Sequence, residues 1–287
     1  MLRVTFLGTS GSAPTKERGM PSIALQYEGD LMLFDIGEGT QRQMMKYGVS
    51  YGSVDTIFIS HPHIDHYLGI FGLLETLTLS HTKKKIDVFG FADFEWIKDE
   101  YQFVNFKKMK KGILHEGSRY TISAFPVKHC KNAYGFIFQE KDKIKFYEEK
   151  AKEAGIRGKM FKEIEKKGYL IVNDKKVKLE DISWIKKGRK VVYSGDTLPQ
   201  KETILFSKDA DLLIHEGTFS QENEKEAKER LHTTMEDAAK IALKANVKKL
   251  VLTHFSPRYP DLSVFEERVK KIFKNTFFAY DGFVIDV

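Results

Sequence analysis

The stretch that decides the fold is Ser60-His61-Pro62-His63-Ile64-Asp65-His66, where four potential metal ligands fall within six residues. The apolar run Val54–Ser60 leads straight into it and is typical of a short buried strand. Imidazole and carboxylate groups suit zinc and other borderline divalent cations. A loop that leaves a strand can turn the first two histidines toward one cation, and the aspartate and third histidine toward a second. The stretch therefore predicts a metal site at the end of a strand.

Three further candidate ligands also follow predicted strands. His129 follows Thr121–Val127, Asp196 follows Lys190–Tyr193, and His254 follows Leu250–Leu252. In α/β sheets, ligands gather at the carboxyl ends of strands. A structural zinc site normally closes with four ligands, so seven predict a site for two metals, each with a position left for a shared water. We expect one metal on His61, His63 and His129, the other on Asp65, His66 and His254, and Asp196 bridging both.

Strands alternate with helices along the rest of the chain, which predicts an α/β fold. The other predicted strands are Leu2–Leu7, Ser22–Tyr27, Leu31–Asp35, Ile86–Phe89, Tyr134–Phe138, Asp211–Ile214 and a closing strand pair within Phe277–Val287. The predicted helices are Glu38–Tyr47, Tyr67–Leu79, a segment through Trp96 and Tyr101, Met235–Ala245 with Thr233 or Thr234 as N-cap, and Val264–Phe273.

The positive charge of the chain is concentrated in one segment. Residues Gln139–Lys190 carry 17 Lys/Arg and 10 Asp/Glu, and this excess equals the net charge of +7 of the whole chain. The part Lys141–Lys187 has few apolar anchors and contains no proline. We interpret it as a basic insertion that projects from the core and binds a polyanion; the alternative is an ordinary solvated helix and hairpin.

Length and composition limit the remaining possibilities. The 287 residues suit one large α/β domain or two small ones. The single cysteine, Cys130, cannot form an internal disulfide and favours a reducing compartment, most simply the cytoplasm. It is more readily explained as a buried filler than as a ligand or nucleophile. Because no apolar run reaches the ~20 residues of a membrane span, we expect no membrane association.

Several motifs resemble those of known families. His61-Pro62-His63-Ile64-Asp65-His66 resembles the H-x-H-x-D-H signature of metallo-β-lactamase-fold hydrolases. The finer motifs are similar to those of ribonuclease Z, the tRNA 3′-processing endonuclease family: Phe34-Asp35-Ile36-Gly37-Glu38-Gly39-Thr40-Gln41, His215-Glu216-Gly217-Thr218, His232-Thr233-Thr234 and His254-Phe255-Ser256-Pro257-Arg258-Tyr259. The resemblance runs from about Leu2 to the C-terminus.

This resemblance implies a fold and an activity. The fold is a four-layered αββα sandwich formed by residues 1–287, with 141–187 as an arm that binds tRNA. The activity is zinc-dependent removal of the 3′ trailer of precursor tRNA, which leaves a tRNA 3′-hydroxyl. It implies two Zn²⁺ per subunit, for which Mn²⁺ or another divalent metal is an alternative, and a homodimer in which one subunit's arm serves the other's active site.

It also implies roles for individual side chains. Asp65 orients the attacking water, His232 is the candidate general acid, and Glu216 holds the other ring nitrogen of His232. A core or capping role for His232 is the alternative, and His215 is expected to support a metal ligand. The substrate-binding candidates are Lys16, Arg18 and Arg258.

The chain departs from the ribonuclease Z pattern in two places. The family's P-x-K-x-R-N motif appears as Pro14-Thr15-Lys16-Glu17-Arg18-Gly19, with glycine in place of asparagine. The arm tip, Gly155–Phe161, contains no proline. Two other functions remain open from the residues: a small-molecule phosphodiesterase or ester hydrolase with the same metals, and a non-enzymatic RNA-binding protein. The complete ligand set argues against the second.

Overall fold

The computed structural model describes residues 1–287. Its strands are β1 Leu2–Gly8, β2 Ser22–Tyr27, β3 Asp30–Phe34, β4 Val54–Phe58, β5 Ile86–Gly90, β6 Val104–Lys108, β7 Gly112–Glu116, β8 Tyr120–Pro126, β9 Tyr134–Glu140, β10 Lys143–Phe146, β11 Tyr169–Val172, β12 Lys175–Lys178, β13 Ser183–Lys186, β14 Lys190–Tyr193, β15 Leu212–Glu216, β16 Leu250–Thr253, β17 Thr276–Phe278 and β18 Val284–Asp286. Its α-helices are α1 Thr40–Lys46, α2 Gly69–Leu79, α3 Ile97–Glu100, α4 Glu148–Glu153, α5 Met160–Lys167, α6 Leu179–Ile182, α7 Lys201–Ser207, α8 Glu224–Glu229, α9 Met235–Lys244 and α10 Ser263–Ile272.

Two seven-stranded sheets form the core. The first has the order β18-β1-β2-β3-β4-β5-β6, and the second β17-β16-β15-β14-β9-β8-β7. Strands β3 to β6 run parallel, as do β14 to β17. The strands that precede most predicted ligands belong to these parallel groups, so their carboxyl ends meet at one edge of each sheet.

Aromatic side chains join the two sheets face to face. Phe136 on β9 lies 5.3 Å from Phe34 and 5.6 Å from Phe58 between ring centroids, and Tyr27 lies 5.3 Å from Phe138. All five rings are buried. Helices α1 and α9 pack on the outer sides, α1 against β1 and α9 against β15 and β16. The result is the expected four-layered αββα sandwich of the metallo-β-lactamase fold.

Local signals agree with the structure in some places and fail in others. The predicted cap of α9 is confirmed, because the Thr234 hydroxyl accepts a hydrogen bond from the Asp237 backbone N–H. The predicted closing strand pair is wrong. Strand β17 joins the second sheet beside β16, whereas β18 joins the first sheet, where Val4 pairs with Ile285. None of the helices has both the length and the apolar character that crossing a bilayer requires.

Residues Gln139–Arg189, together with Gly117–Tyr120, form a second compact unit. It contains the whole of the predicted 141–187 insertion. Two antiparallel pairs, β10 with β13 and β11 with β12, accompany helices α4 to α6. Its own small apolar cluster consists of Ala151, Ile156, Ile164, Leu170 and Ile182.

Candidate metal centre

The structure brings the seven predicted ligands together at the carboxyl ends of the strands. His61 follows β4, His129 follows β8, Asp196 follows β14, and His254 follows β16. His254 adopts a left-handed backbone conformation (φ 58°), which a non-glycine residue adopts only at some cost. Such strain is typical of functional sites whose surroundings fix the side chain.

Three histidines form the first group of ligand atoms. His61 Nε2 lies 3.0 Å from His63 Nδ1, and His129 Nε2 lies 3.1 Å from that same Nδ1. The three nitrogens therefore face a common point. Burial, followed by the charge of His66, holds the pKa of His61 well below its usual value. The imidazole is thus kept in the neutral form that binds a metal.

Asp65, His66 and His254 form the second group. Asp65 Oδ2 lies 3.6 Å from His66 Nε2 and 3.7 Å from His254 Nε2. Asp196 lies between the two groups: its Oδ2 is 3.3 Å from His66, 3.2 Å from His254, and 3.8 Å from both His61 and His129. A carboxylate in this position can serve both groups.

Unsatisfied buried atoms show that this donor set fits divalent cations. His66 Nε2, His254 Nε2 and Asp196 Oδ1 are buried and have no hydrogen-bond partner. Leaving such atoms unpaired costs about 1–3 kcal/mol each. Cations at the centre of the two groups would satisfy them, and nitrogen and carboxylate donors are the ones that zinc prefers.

Four of the five ligand histidines are held in place through the ring nitrogen that does not face the other ligands. These Nδ1 atoms contact Ser60 Oγ (2.9 Å, from His61), Asp35 Oδ2 (2.8 Å, from His66), the Leu231 carbonyl (2.9 Å, from His129) and Thr218 Oγ1 (2.9 Å, from His254). Contacts of this kind fix the tautomer and the orientation of each ring. The candidate ligands are therefore held in position by the protein alone.

Asp35, which belongs to the motif Phe34–Gln41, supports the ligands from outside the set of seven. Its carboxylate accepts hydrogen bonds from the Ser60 backbone N–H (2.7 Å), the Ser60 hydroxyl (2.9 Å) and the Tyr193 hydroxyl (2.7 Å), besides contacting His66. It is fully buried. Its place at the end of β3, directly beside β4, is the signal that could have identified it.

Glu216 and His232 form a buried pair beside the metal ligands. His232 Nδ1 lies 3.0 Å from Glu216 Oε1 and 4.0 Å from Asp196 Oδ2. Glu216 also accepts hydrogen bonds from the backbone N–H groups of Thr197 (2.6 Å) and Thr233 (3.1 Å), so its carboxylate cannot turn away. The geometry suits a histidine that acts as a general acid. The fixed carboxylate of Glu216 binds one ring nitrogen, and the other ring nitrogen is left to give up its proton.

The substrate-binding candidates lie in different environments. Lys16 is exposed. Arg18 is buried and donates a hydrogen bond to the Tyr259 carbonyl (2.6 Å). Arg258 makes a forked ion pair with Glu226, at 2.7 and 2.8 Å. His215, expected to support a ligand, donates instead to the neighbouring Glu216 carbonyl (2.8 Å).

Known proteins resemble this chain over nearly its whole length. A family model described as "Anti-Pycsar protein Apyc1" matches residues 2–276. Ribonuclease Z of Archaeoglobus fulgidus is 38% identical over 100% of this chain and 98% of its own, and that of Thermococcus onnurineus is 41% identical over 90% and 86%. Among solved structures, the short form of human tRNase Z superposes with a TM-score of 0.69 at 27% identity, covering 99% of both chains. The metallo-β-lactamase-fold protein YhfI of Bacillus subtilis gives 0.74 at 20% identity, with full coverage of both.

Proposed function

The chain belongs to the ribonuclease Z family and also to the family described as anti-Pycsar protein Apyc1, and we propose how its metal centre processes the 3′ end of precursor tRNA. As a ribonuclease Z, it is an endoribonuclease of the metallo-β-lactamase fold. The observation that carries the proposed mechanism is the position of Asp196 Oδ2, 3.2–3.8 Å from four ligand histidines of two groups.

We propose two zinc ions as the cations of this centre. His61, His63 and His129 would hold one, Asp65, His66 and His254 the other, and Asp196 both. Mn²⁺ is the alternative, since imidazole and carboxylate donors accept it as well. Bound divalent cations supply Lewis acidity and a nucleophilic water at neutral pH.

The protein's own groups handle the protons. Asp65, the partly exposed member of the second ligand group, orients the attacking water and accepts its proton. The water oxygen bonds to phosphorus as the bond from phosphorus to the ribose 3′-oxygen breaks. His232 delivers its proton to that 3′-oxygen, and Glu216 stabilises the charged imidazole. The products are a tRNA 3′-hydroxyl and a trailer with a 5′-phosphate.

The RNA is held by positive charge outside the centre. The arm 141–187 carries most of the excess positive charge of the chain. It would bind the phosphates of the tRNA body and make few contacts with bases. Lys16, Arg18 and Arg258 would act closer to the cleaved bond, and Arg258 would then exchange Glu226 for a phosphate. The family resemblance supports a homodimer, in which one arm serves the partner's centre. The single cysteine supports a cytoplasmic location.

A cleavage assay tests the proposal. Metal-reconstituted protein should cut a precursor tRNA once and leave a 3′-hydroxyl end near the discriminator base, as mapped by sequencing of the new ends. A chromogenic diester such as bis(p-nitrophenyl) phosphate serves as a parallel substrate. Hydrolysis of the diester without any cleavage of precursor tRNA would favour a small-molecule phosphodiesterase.

A further inference from the structure

The loop Thr9–Gly19, the rim loop, lies against the second ligand group. The backbone N–H of Ser12 donates a hydrogen bond to Asp65 Oδ2 (3.0 Å). Gly11 packs directly on the His254 ring, because a Cβ at position 11 would lie 2.7 Å from its nearest atoms. The exposed Lys16 belongs to the same loop. Any shift of the rim loop would therefore move Lys16 relative to the metal centre.

Both ends of the rim loop are attached to one carboxylate. Asp281 accepts hydrogen bonds from the Thr9 hydroxyl (2.8 Å) and from the Gly19 backbone N–H (2.6 Å). The Gln43 side-chain amide donates to the same carboxylate (2.5 Å) and to the Leu7 carbonyl (2.8 Å). Asp281 is only 9% exposed, so water cannot easily replace these donors.

The Gln43–Asp281 pair also fills the space beside Gly19. A Cβ at position 19 would lie 2.9 Å from Gln43 Nε2 and 3.3 Å from Asp281 Oδ2. Any side chain there would push the Gln43 amide away from the carboxylate that it satisfies. This position is the one where the ribonuclease Z motif has asparagine, and an asparagine there would require the flexible end of the Gln43 side chain to move.

We propose that Gln43 and Asp281 are positioning residues that fix the rim loop over the metal centre, in place of a side chain at position 19, and thereby set the affinity for the RNA 3′ end. The inference rests on the proposed function for its substrate. Neither residue hydrogen-bonds to any of the seven ligands, so the pair takes no part in proton transfer or metal binding.

Asp281→Asn is the first test. It keeps the shape of the side chain but replaces Oδ1 or Oδ2, both of which accept hydrogen bonds, with an NH2 group that can only donate. We expect KM for precursor tRNA to rise about tenfold, as for one lost hydrogen bond to a charged group. The kcat, the turnover of bis(p-nitrophenyl) phosphate and the metal content should stay within about twofold, and amide hydrogen exchange should quicken in residues 10–19. Asn105→Ala is the matched control, since Asn105 also donates from an amide to a carboxylate, that of Asp87, on the exposed surface.

An unchanged KM together with unchanged amide exchange would overturn the proposal. A parallel loss of metal and of turnover on both substrates would also overturn it, since that result indicates a general structural role. Failure of the unmodified enzyme to cleave precursor tRNA would instead refute the proposed function. The two failures can be told apart, because amide exchange in the rim loop is measured without substrate.

Gly19→Asn provides a second, reciprocal test. With Gln43 present, the new side chain should displace the amide and raise KM. In a Gln43→Ala background it has room to reach Asp281, so the double variant should recover most of the affinity lost by Gln43→Ala alone. Such non-additivity is expected for residues in direct contact. Equal effects of Gly19→Asn in both backgrounds would show that the pair does not occupy this space.

Discussion

His232 Nδ1 lies 3.0 Å from Glu216 Oε1, and this contact governs the charge of the histidine. Burial disfavours the charged imidazole, but the negative charge and hydrogen bond of Glu216 outweigh it and raise the pKa of His232 to about 9. The histidine therefore holds a proton at neutral pH. Its second ring nitrogen remains available to deliver that proton to a leaving group.

His232→Ala should slow cleavage of precursor tRNA by ~10²–10⁴-fold, because the ribose 3′-oxygen would leave without a proton donor. Both metals should remain bound, since His232 is not among the seven ligands. Single-turnover rates at saturating enzyme, with metal analysis, check this. Nitrophenolate needs no proton to leave, so an equal loss with bis(p-nitrophenyl) phosphate would rule out proton donation as the role of His232.

The rate of precursor cleavage should fall as the pH rises through about 9. A general acid acts only when protonated, and the raised pKa of His232 keeps it protonated below that pH. Glu216→Gln removes the charge that raises this pKa, so its alkaline limb should move to lower pH. Single-turnover pH profiles of both proteins provide the measurement. If the rates of the unmodified protein and of Glu216→Gln fall at the same alkaline pH, a group other than His232 causes the fall.

Asp196→Ala should abolish hydrolysis and lower the metal content of the purified protein. Its carboxylate lies within 4 Å of ligand histidines from both groups, so its loss removes a ligand from each metal position. Metal stoichiometry and turnover on both substrates would be compared with those of Asp211→Ala, which removes a carboxylate far along the sheet. Full activity in Asp196→Ala would contradict a dinuclear centre.

Deleting Lys141–Lys187 should separate tRNA processing from diester chemistry. The Glu140 backbone N–H donates to the Arg189 carbonyl (2.8 Å), so a short Gly/Ser linker can join the cut ends. The affinity for tRNA should fall and its salt dependence flatten, because phosphate contacts are lost. Turnover of bis(p-nitrophenyl) phosphate should persist, since no ligand lies in the segment. Unchanged tRNA affinity in a folded deletion with full metal content would reject the arm as the tRNA-binding element.

The sequence predicted which candidate ligands would lie close together, because residue type and position at the end of a strand are both visible in it. His129, Asp196 and His254 were identified since each stands at the carboxyl end of an apolar strand, and parallel strands bring such ends together. The αββα layering followed from a family resemblance, because alternating strands and helices alone do not distinguish two facing sheets from one.

Other features depend on contacts between distant parts of the chain. Asp35 supports His66, and its place at the end of β3 becomes a signal only when the pairing of β3 with β4 is known. The pairing of Asp281 with Gly19 spans 262 positions and leaves no pattern in either segment. The predicted pairing of the final two strands with each other is wrong, because a short apolar run does not indicate which sheet a strand joins.

The separation of β17 and β18 between the two sheets bears on how the chain folds. Strand β18 pairs with β1, so Arg3 and Asp286 become neighbours only after nearly the whole sequence is available. Contacts of such long range are slow to form, since the entropy of closing the loop opposes them until other contacts are in place. During synthesis, the outer edge of β1 would stay unprotected until β18 emerges. We expect a slow refolding phase that truncation before Val284 removes, with aggregation through the bare edge of β1 in its place.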